Sequence, residues 1–410
     1  MSETNVRRRG REKDDDRNLN KENLKEHLQD SSSNSSFITT ALLTVVIFTL
    51  VCVNGYYNSP INAVEIEGLV KVNLEGVFAV NQKLSKGKKI LLPSPESIAE
   101  GGDGKLYTGL TDGRVVCIHP SNDGEIGAGK VENITTGVIE GAVNTSDAWG
   151  HGRPLGIRLR NQSLYVMDAI YGFYVIDLPT KSLKILIEPD DVTPPMKFPD
   201  DFDITADGTT VYMTDVSPKF AMTQLSYIGY EGSCTSRLIK YDMLTQKLDV
   251  VKDGLCFGNG VQLIDDESMV IVVETTHYRV NWIDTKTWQI KHVLHLPVMP
   301  DNIRKNARGT YWIAGKTQLT WIFEFAAKYP VFRQTAAGLF SHDVLMTIAE
   351  NKHGMLFEVN SAGKVIQTLH DPEGQLTHGL SQGTELSDGR IALGTFNGNF
   401  LSFSNTEWSL

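Results

Sequence analysis

One unit, a strand, a tight turn and a returning strand, recurs along most of this chain and limits its fold more than any other feature. The clearest copy is residues 198–215, FPDDFDITADGTTVYMTD. Phe202 and Ile204 alternate with polar residues, as a strand with one buried face requires. Asp207-Gly208 supplies the turn, because glycine accepts a positive φ, and Val211, Tyr212 and Met213 return. The same unit runs from Ile98 past Gly104 to Leu106-Tyr107-Thr108, and from Leu155-Gly156-Ile157 past Asn161 to Leu164-Tyr165-Val166. It appears again from Asn259-Gly260-Val261 to Val270-Ile271-Val272, from Asp301-Asn302-Ile303 to Tyr311-Trp312-Ile313, and from His378-Gly379-Leu380 to Ile391-Ala392-Leu393. Third strands ending in Asp177, Asp242 and Asp284 follow several copies. Copies about forty to sixty residues apart predict an all-β fold, a six-bladed β-propeller. The ring is expected to close through its own N-terminal part, with Val64-Glu65-Ile66 or a strand within residues 69–80 pairing with residues 391–403, since an open ring leaves a bare edge.

The N-terminus is a different polymer. Residues 1–36 are polar and carry the run Arg7-Arg8-Arg9-Gly10-Arg11, so they are expected to form a disordered cytosolic tail. Residues 37–53, FITTALLTVVIFTLVCV, hold no charge, and as a helix they are just long enough to cross a thin bilayer. The leader is too long and charged for a signal peptide, and no A-x-A-like site follows. Lys21 and Lys25 precede the apolar stretch, whereas the other flank has no Lys or Arg before Lys71. The positive-inside rule then makes this a signal anchor of a single-pass type II membrane protein, with residues 54–410 as a lumenal or extracellular propeller. Both the plasma membrane and the endoplasmic reticulum fit. A formal net charge of −10 argues against nucleic acid as a partner and suits a bound cation or a neutral ligand.

Cys52 falls in the apolar stretch, which leaves Cys117, Cys234 and Cys256 outside it, so at most one pair forms among these three. Cys234 and Cys256 flank the strand pair that follows Arg237 and are the expected bridge, with an exposed free thiol as the alternative. Asn133, Asn144 and Asn161 each open a glycosylation sequon.

The innermost strands of a propeller begin at its central channel, so the first residues of all blades converge on one axis. Here those residues are Glu96, Leu155, Asp200, Asn259, Asp301-Asn302 and Gln382. Oxygen donors from several blades, with no Cys or His among them, suit a hard cation such as Ca²⁺. The competing explanation is that Asp and Asn merely cap turns at strand starts.

The sequence resembles the strictosidine synthase-like family, and most closely its adipocyte plasma membrane-associated (hemomucin) branch. The residues that carry the resemblance include Pro95-Glu96-Ser97-Ile98, Gly152-Arg153-Pro154-Leu155-Gly156 and Tyr212-Met213-Thr214-Asp215-Val216-Ser217. Phe257-Gly258-Asn259-Gly260-Val261, the run from Val273 to Arg279, and Pro300-Asp301-Asn302-Ile303-Arg304 extend it over roughly residue 64 to the C-terminus. The resemblance implies metal ligation by Glu96, Asp200, Asn259 and Asp301, with Asn302 as a fifth candidate. Position 200 departs from the family's usual asparagine.

The resemblance also bears on chemistry. The glutamate by which plant strictosidine synthases condense amine and aldehyde falls at Gln382, which cannot shuttle a proton. Glu385, three residues on, is expected on the other face of its strand. The histidine that activates water in paraoxonase-like relatives falls at Leu155. His151, His277, His342 and His378, together with Glu274, Arg153 and Arg304, read as structural or solvated groups. Two functions remain open. One is a Ca²⁺-dependent hydrolase of the arylesterase or lactonase kind, acting on a small-molecule ester or lactone with Asp200 or Asp301 as base. The other is a non-enzymatic membrane glycoprotein that binds a ligand, protein or glycan through the propeller top.

Overall fold

A computed structural model describes residues 37–140, 150–348 and 352–406. Among these residues the strands form six four-stranded antiparallel sheets. The inner strands are Ile98–Glu100, Pro154–Arg160, Pro199–Ile204, Gly258–Leu263, Val298–Lys305 and Leu380–Glu385. Each touches the inner strand of the next blade, and the sixth touches the first, so the chain is a closed six-bladed propeller. The Asp-Gly turns behave as expected, with Gly208 at φ 76° and Gly389 at φ 84°. The core lies between neighbouring sheets. Phe173 of the second blade meets Phe202 of the third edge-on at 4.8 Å, within a cluster that also holds Met213 and Ile239.

The ring closes through the N-terminal part of the chain, but not through the segments expected. Gly87–Ile90 pairs antiparallel with Leu401–Ser404, from Gly87 opposite Ser404 to Ile90 opposite Leu401. Being the outermost strand of its blade, it is exposed along most of its length and carries no alternating pattern for the sequence to display. Residues 64–66 serve another part of the molecule. The Val64 amide donates to the Glu231 carbonyl (2.9 Å) and the Ile66 amide to that of Ala327 (3.0 Å). Leu74 and Phe78 pack against the core shared by blades four and five.

The described residues also form five α-helices. The first, α1, Phe37–Tyr57, runs four residues past the expected end. At 21 residues it is roughly 31 Å long, apolar enough and long enough to cross a membrane. α2 (Leu225–Glu231) lies between the second and third strands of blade three, and α3 (Trp321–Lys328), α4 (Pro330–Leu339) and α5 (His342–Ile348) between those of blade five. In an antiparallel blade that connection returns the chain to the face where the inner strand starts. The helices therefore cap the channel mouth, where Ile228, Ala337 and Leu345 join Leu155, Phe198 and Phe257 in one apolar cluster. A Cys234–Cys256 disulfide ties the end of the blade-three insertion to the entry of blade four. Cys117 is buried as a free thiol. Asn133 and Asn161 are exposed, whereas Asn144, the tail 1–36 and its basic residues lie outside the described residues.

At Gly87 a Cβ would run into the Phe403 carbonyl oxygen. Gly87→Val should therefore loosen the closing strand and cost about 1–3 kcal/mol in chemical denaturation. Val80→Ala, at an exposed position, should cost almost nothing, whereas closure through residues 64–80 would reverse that order.

Candidate functional site

The inner strands are irregular where they start. Their pairing register shifts between Pro154 and Ile157, Pro199 and Phe202, Gly258 and Val261, Pro300 and Ile303, and Leu380 and Gln382. A bulge of this kind bends a strand and re-aims its side chains. Here it falls at the dipeptides Asp200-Asp201, Asn259-Gly260 and Asp301-Asn302. The glycines allow the blades to close on the axis. A Cβ on Gly260 would lie 2.7 Å from the Asp301 carbonyl oxygen, and one on Gly156 would lie 3.1 Å from that of Asp200.

Glu96, Asp200, Asn259, Asp301 and Asn302 are all buried at this mouth. The Asn302 amide donates to Glu96 Oε1 at 2.6 Å, joining blade five to blade one. The Asn259 side chain hydrogen-bonds to Asp301, joining blade four to blade five. Burial, then the negative charges of Glu96 and Asp301, push the Asp200 carboxyl well above the usual range. Burial and Asp301 push Glu96 up to about 8. Burial also raises Asp301, against the pull of the Lys316 ammonium. Glu96 Oε2, Asn259 Oδ1 and Asn302 Oδ1 are buried without any hydrogen bond. Such orphaned oxygens are costly in a protein interior, and a cation is the partner this set can share.

Lys316 is the residue that sequence reasoning missed. Its ammonium forms an ion pair with Asp301 Oδ2 and lies 4.4 Å from the centre of the Phe396 ring. No motif marks it; Gly315 pairs with Pro300 across the sheet, and that register brings Lys316 back to Asp301.

Deeper in the channel lies a second polar layer. Arg304 grips Asp201 through both guanidinium ends, at 2.8 and 3.0 Å, and donates to Ser97 Oγ at 3.0 Å. Arg158 reaches Asp201 at 3.3 Å. Burial alone would raise Asp201, but the two arginines hold it below the ordinary carboxylate range. Gln382 is wholly engaged, accepting from Ser97 Oγ (2.8 Å) and donating to the Ile98 carbonyl (2.8 Å) and Thr384 Oγ1 (2.6 Å). Arg153 donates to the carbonyls of Ser94 (3.0 Å) and Phe396 (3.1 Å). Glu385 is turned to Arg308 and to Trp312 Nε1 at 3.0 Å, which ties it in place. His277 sits beside the disulfide, 3.9 Å from Cys234 Sγ, with burial lowering its pKa to about 4. His342 Nδ1 lies 2.8 Å from Ser226 Oγ and ties α5 to α2.

The family model described as strictosidine synthase matches residues 200–287, and the one described as strictosidine synthase-like, N-terminal, matches residues 76–118. Among curated relatives, the adipocyte plasma membrane-associated protein of Rattus norvegicus is 33% identical over 342 residues, covering 80% of this chain and 88% of its own length. The Homo sapiens protein of the same name is 31% identical over 389 residues, covering 90% of each. Among solved structures, a luciferin-regenerating enzyme superposes with a TM-score of 0.50 at 10% identity, over 77% of this chain and 92% of that one, a likeness of fold alone.

The raised carboxyls set a pH dependence. A group whose folded pKa lies above its unfolded value contributes stability below the unfolded value, and that contribution is lost as pH rises through the folded one. With Glu96 at about 8, protein kept in chelator should lose thermal stability between pH about 6.5 and about 8.5, a window in which the buried histidines are already neutral. Glu96→Gln should flatten that decline, and equal slopes in both proteins would show that Glu96 is already ionised at the lower pH.

Proposed function

The chain belongs to the adipocyte plasma membrane-associated branch of the strictosidine synthase-like family, and from that membership we propose a membrane-anchored, Ca²⁺-dependent hydrolase of the arylesterase or lactonase kind. The observation that carries this reading is the set of three buried, unpartnered oxygens on Glu96, Asn259 and Asn302, beside the Lys316-paired carboxylate of Asp301. With Asp200 they form an all-oxygen donor set from four blades, the chemistry a hard divalent cation takes. When bound, Ca²⁺ supplies Lewis acidity, polarising an ester carbonyl and stabilising the oxyanion.

The protein's own groups supply the proton transfer. Of the two candidate bases, Asp301 is held by Lys316 and Asn259, which leaves Asp200 as the proposed base. Asp200 takes a proton from water as its oxygen bonds to the acyl carbon. The bond from that carbon to the alcohol oxygen then breaks, and the proton passes to the departing alkoxide. Strictosidine synthesis is not proposed, because Gln382 is spent on structural hydrogen bonds. That same occupied amide favours a second reading, a glycoprotein whose mouth binds a ligand around a structural Ca²⁺. In both readings α1 anchors the chain with its N-terminus cytosolic and the propeller lumenal or extracellular, at the plasma membrane or the endoplasmic reticulum.

Full-length protein in detergent should bind Ca²⁺ in calorimetry and hydrolyse phenyl acetate or an aliphatic lactone, with turnover lost in chelator. Asp200→Asn should cut turnover at least a hundredfold. Ca²⁺ binding with no turnover would leave the glycoprotein reading, and no Ca²⁺ binding would remove both. Lys316→Met should tighten Ca²⁺ roughly tenfold, because a competing positive charge leaves Asp301; unchanged affinity would mean the ammonium does not oppose the ion.

Orientation has its own test. Glycosidase treatment of protein made in a eukaryotic host should shift its mobility, and Asn133→Gln with Asn161→Gln should shrink the shift. An unshifted wild type would mean that either the orientation or the sequon reading is wrong.

A further inference from the structure

The cap helices α3 and α4 are built inside out. Trp321 is 72% exposed and Phe332 57%, with Ile322, Phe325, Tyr329 and Val331 exposed beside them. The Phe325 ring lies tilted against Tyr329 at 4.7 Å and against Phe332 at 5.1 Å, an aromatic cluster on the outer surface. The polar side chains of α4 point the other way. Arg333 is buried and donates to the carbonyls of Ala326, Tyr230, Val64 and Ala327. Gln334 accepts from the Ala63 amide at 3.1 Å and donates to the Tyr56 carbonyl at 3.4 Å. A helix in water shows the opposite polarity.

The neighbour of this face is α1. Gly338 of α4 abuts Gly55 so closely that a Cβ there would run into the Gly55 carbonyl, and a Cβ on Gly55 would meet Leu339. Small residues of this kind let two helix backbones touch. The aromatic face therefore begins where the apolar helix ends. Tryptophan and tyrosine with aliphatic neighbours at that point match the belt that lines a bilayer surface.

We infer that the outer face of α3–α4 is a second membrane-contacting surface, seated in the interface of the bilayer that α1 enters, so that the capped channel mouth faces the lipid. The inference rests on α1 being membrane-spanning, and it adds that the propeller lies against the membrane on one defined face instead of swinging free on its anchor. Lipid is preferred to a second copy of the chain because the face is continuous with the anchor's own exit.

The test uses full-length protein reconstituted into phosphatidylcholine vesicles with brominated acyl chains, which quench tryptophan on contact. Wild-type emission should fall relative to unbrominated vesicles, and Trp321→Tyr, a change at an exposed site, should remove most of that fall. Equal quenching in both proteins, or none in either, overturns the inference. Absence of quenching together with a detergent-stable dimer that Phe332→Glu dissociates would assign the face to a second copy, and also overturns it. Resistance to alkaline carbonate extraction reads α1 separately. An extractable chain discards the anchor and with it this inference even if Trp321 is quenched, whereas an integrated chain with unquenched Trp321 keeps the anchor and discards the surface.

Discussion

Everything at the axis depends on one pairing between the two ends of the fold, Gly87–Ile90 against Leu401–Ser404. The pairing is short, and Gly87–Ile90 is exposed along most of its length, yet it completes the sixth sheet with a strand from the N-terminal part of the chain. Glu96 comes from the first blade and Asp200, Asn259 and Asp301 from the third to fifth, so their mutual distances exist only in a closed ring. The Ser381 hydroxyl on the Glu96 carbonyl (2.7 Å) and the Gln382 amide on that of Ile98 join those blades from the inside. The closing strand and the channel hydrogen bonds therefore act on the same seam.

The closed ring forces charges together in two ways that end differently. At the deeper level, Asp201 is met by Arg304 and Arg158, and its carboxylate is held ionised. That level is a satisfied polar plug, in which removing one partner would strand another. At the mouth, three carboxylates face one lysine, and burial wins, raising all three. A protein that needed only rigidity could have repeated the arginine solution one layer up. The mouth keeps unpartnered oxygens beside a well-satisfied plug, which is the pattern expected where stability is given up for binding.

The sequence displayed what is local and hid what is not. The blade repeats were legible because each rests on an alternating strand and a glycine turn within about twenty residues. The mouth residues were legible because a repeat puts equivalent positions on one axis. The closing strand was hidden, since GKKI, exposed on most of its length, has no alternation, and the more strand-like Val64-Glu65-Ile66 is used to bind the cap. Lys316 was hidden because its role comes from strand register, and Asp201 because Arg304 lies 103 residues away. The cap helices escaped notice for a chemical reason. Their apolar residues face outward and Arg333 inward, so the periodicity that identifies a soluble helix points to the wrong face.

That inversion also connects the two halves of the molecule. Arg333 holds the carbonyls of Val64, Tyr230 and Ala327, so a single buried guanidinium gathers the segment leaving the anchor, the blade-three insertion and the blade-five insertion. Burial lowers its pKa to about 10, still far above neutral, so it remains charged and can keep those carbonyls as partners. The inner side of the same cap packs Ala337 and Leu345 against Leu155 and Phe257, directly above the polar mouth. One layer of helices thus has lipid-like chemistry outside, a charged clasp within it, and the channel beneath. A solute reaching the mouth must pass the edge of that layer. An amphiphile that partitions at a bilayer surface would already be concentrated there, whereas a fully hydrated one would gain nothing from the arrangement.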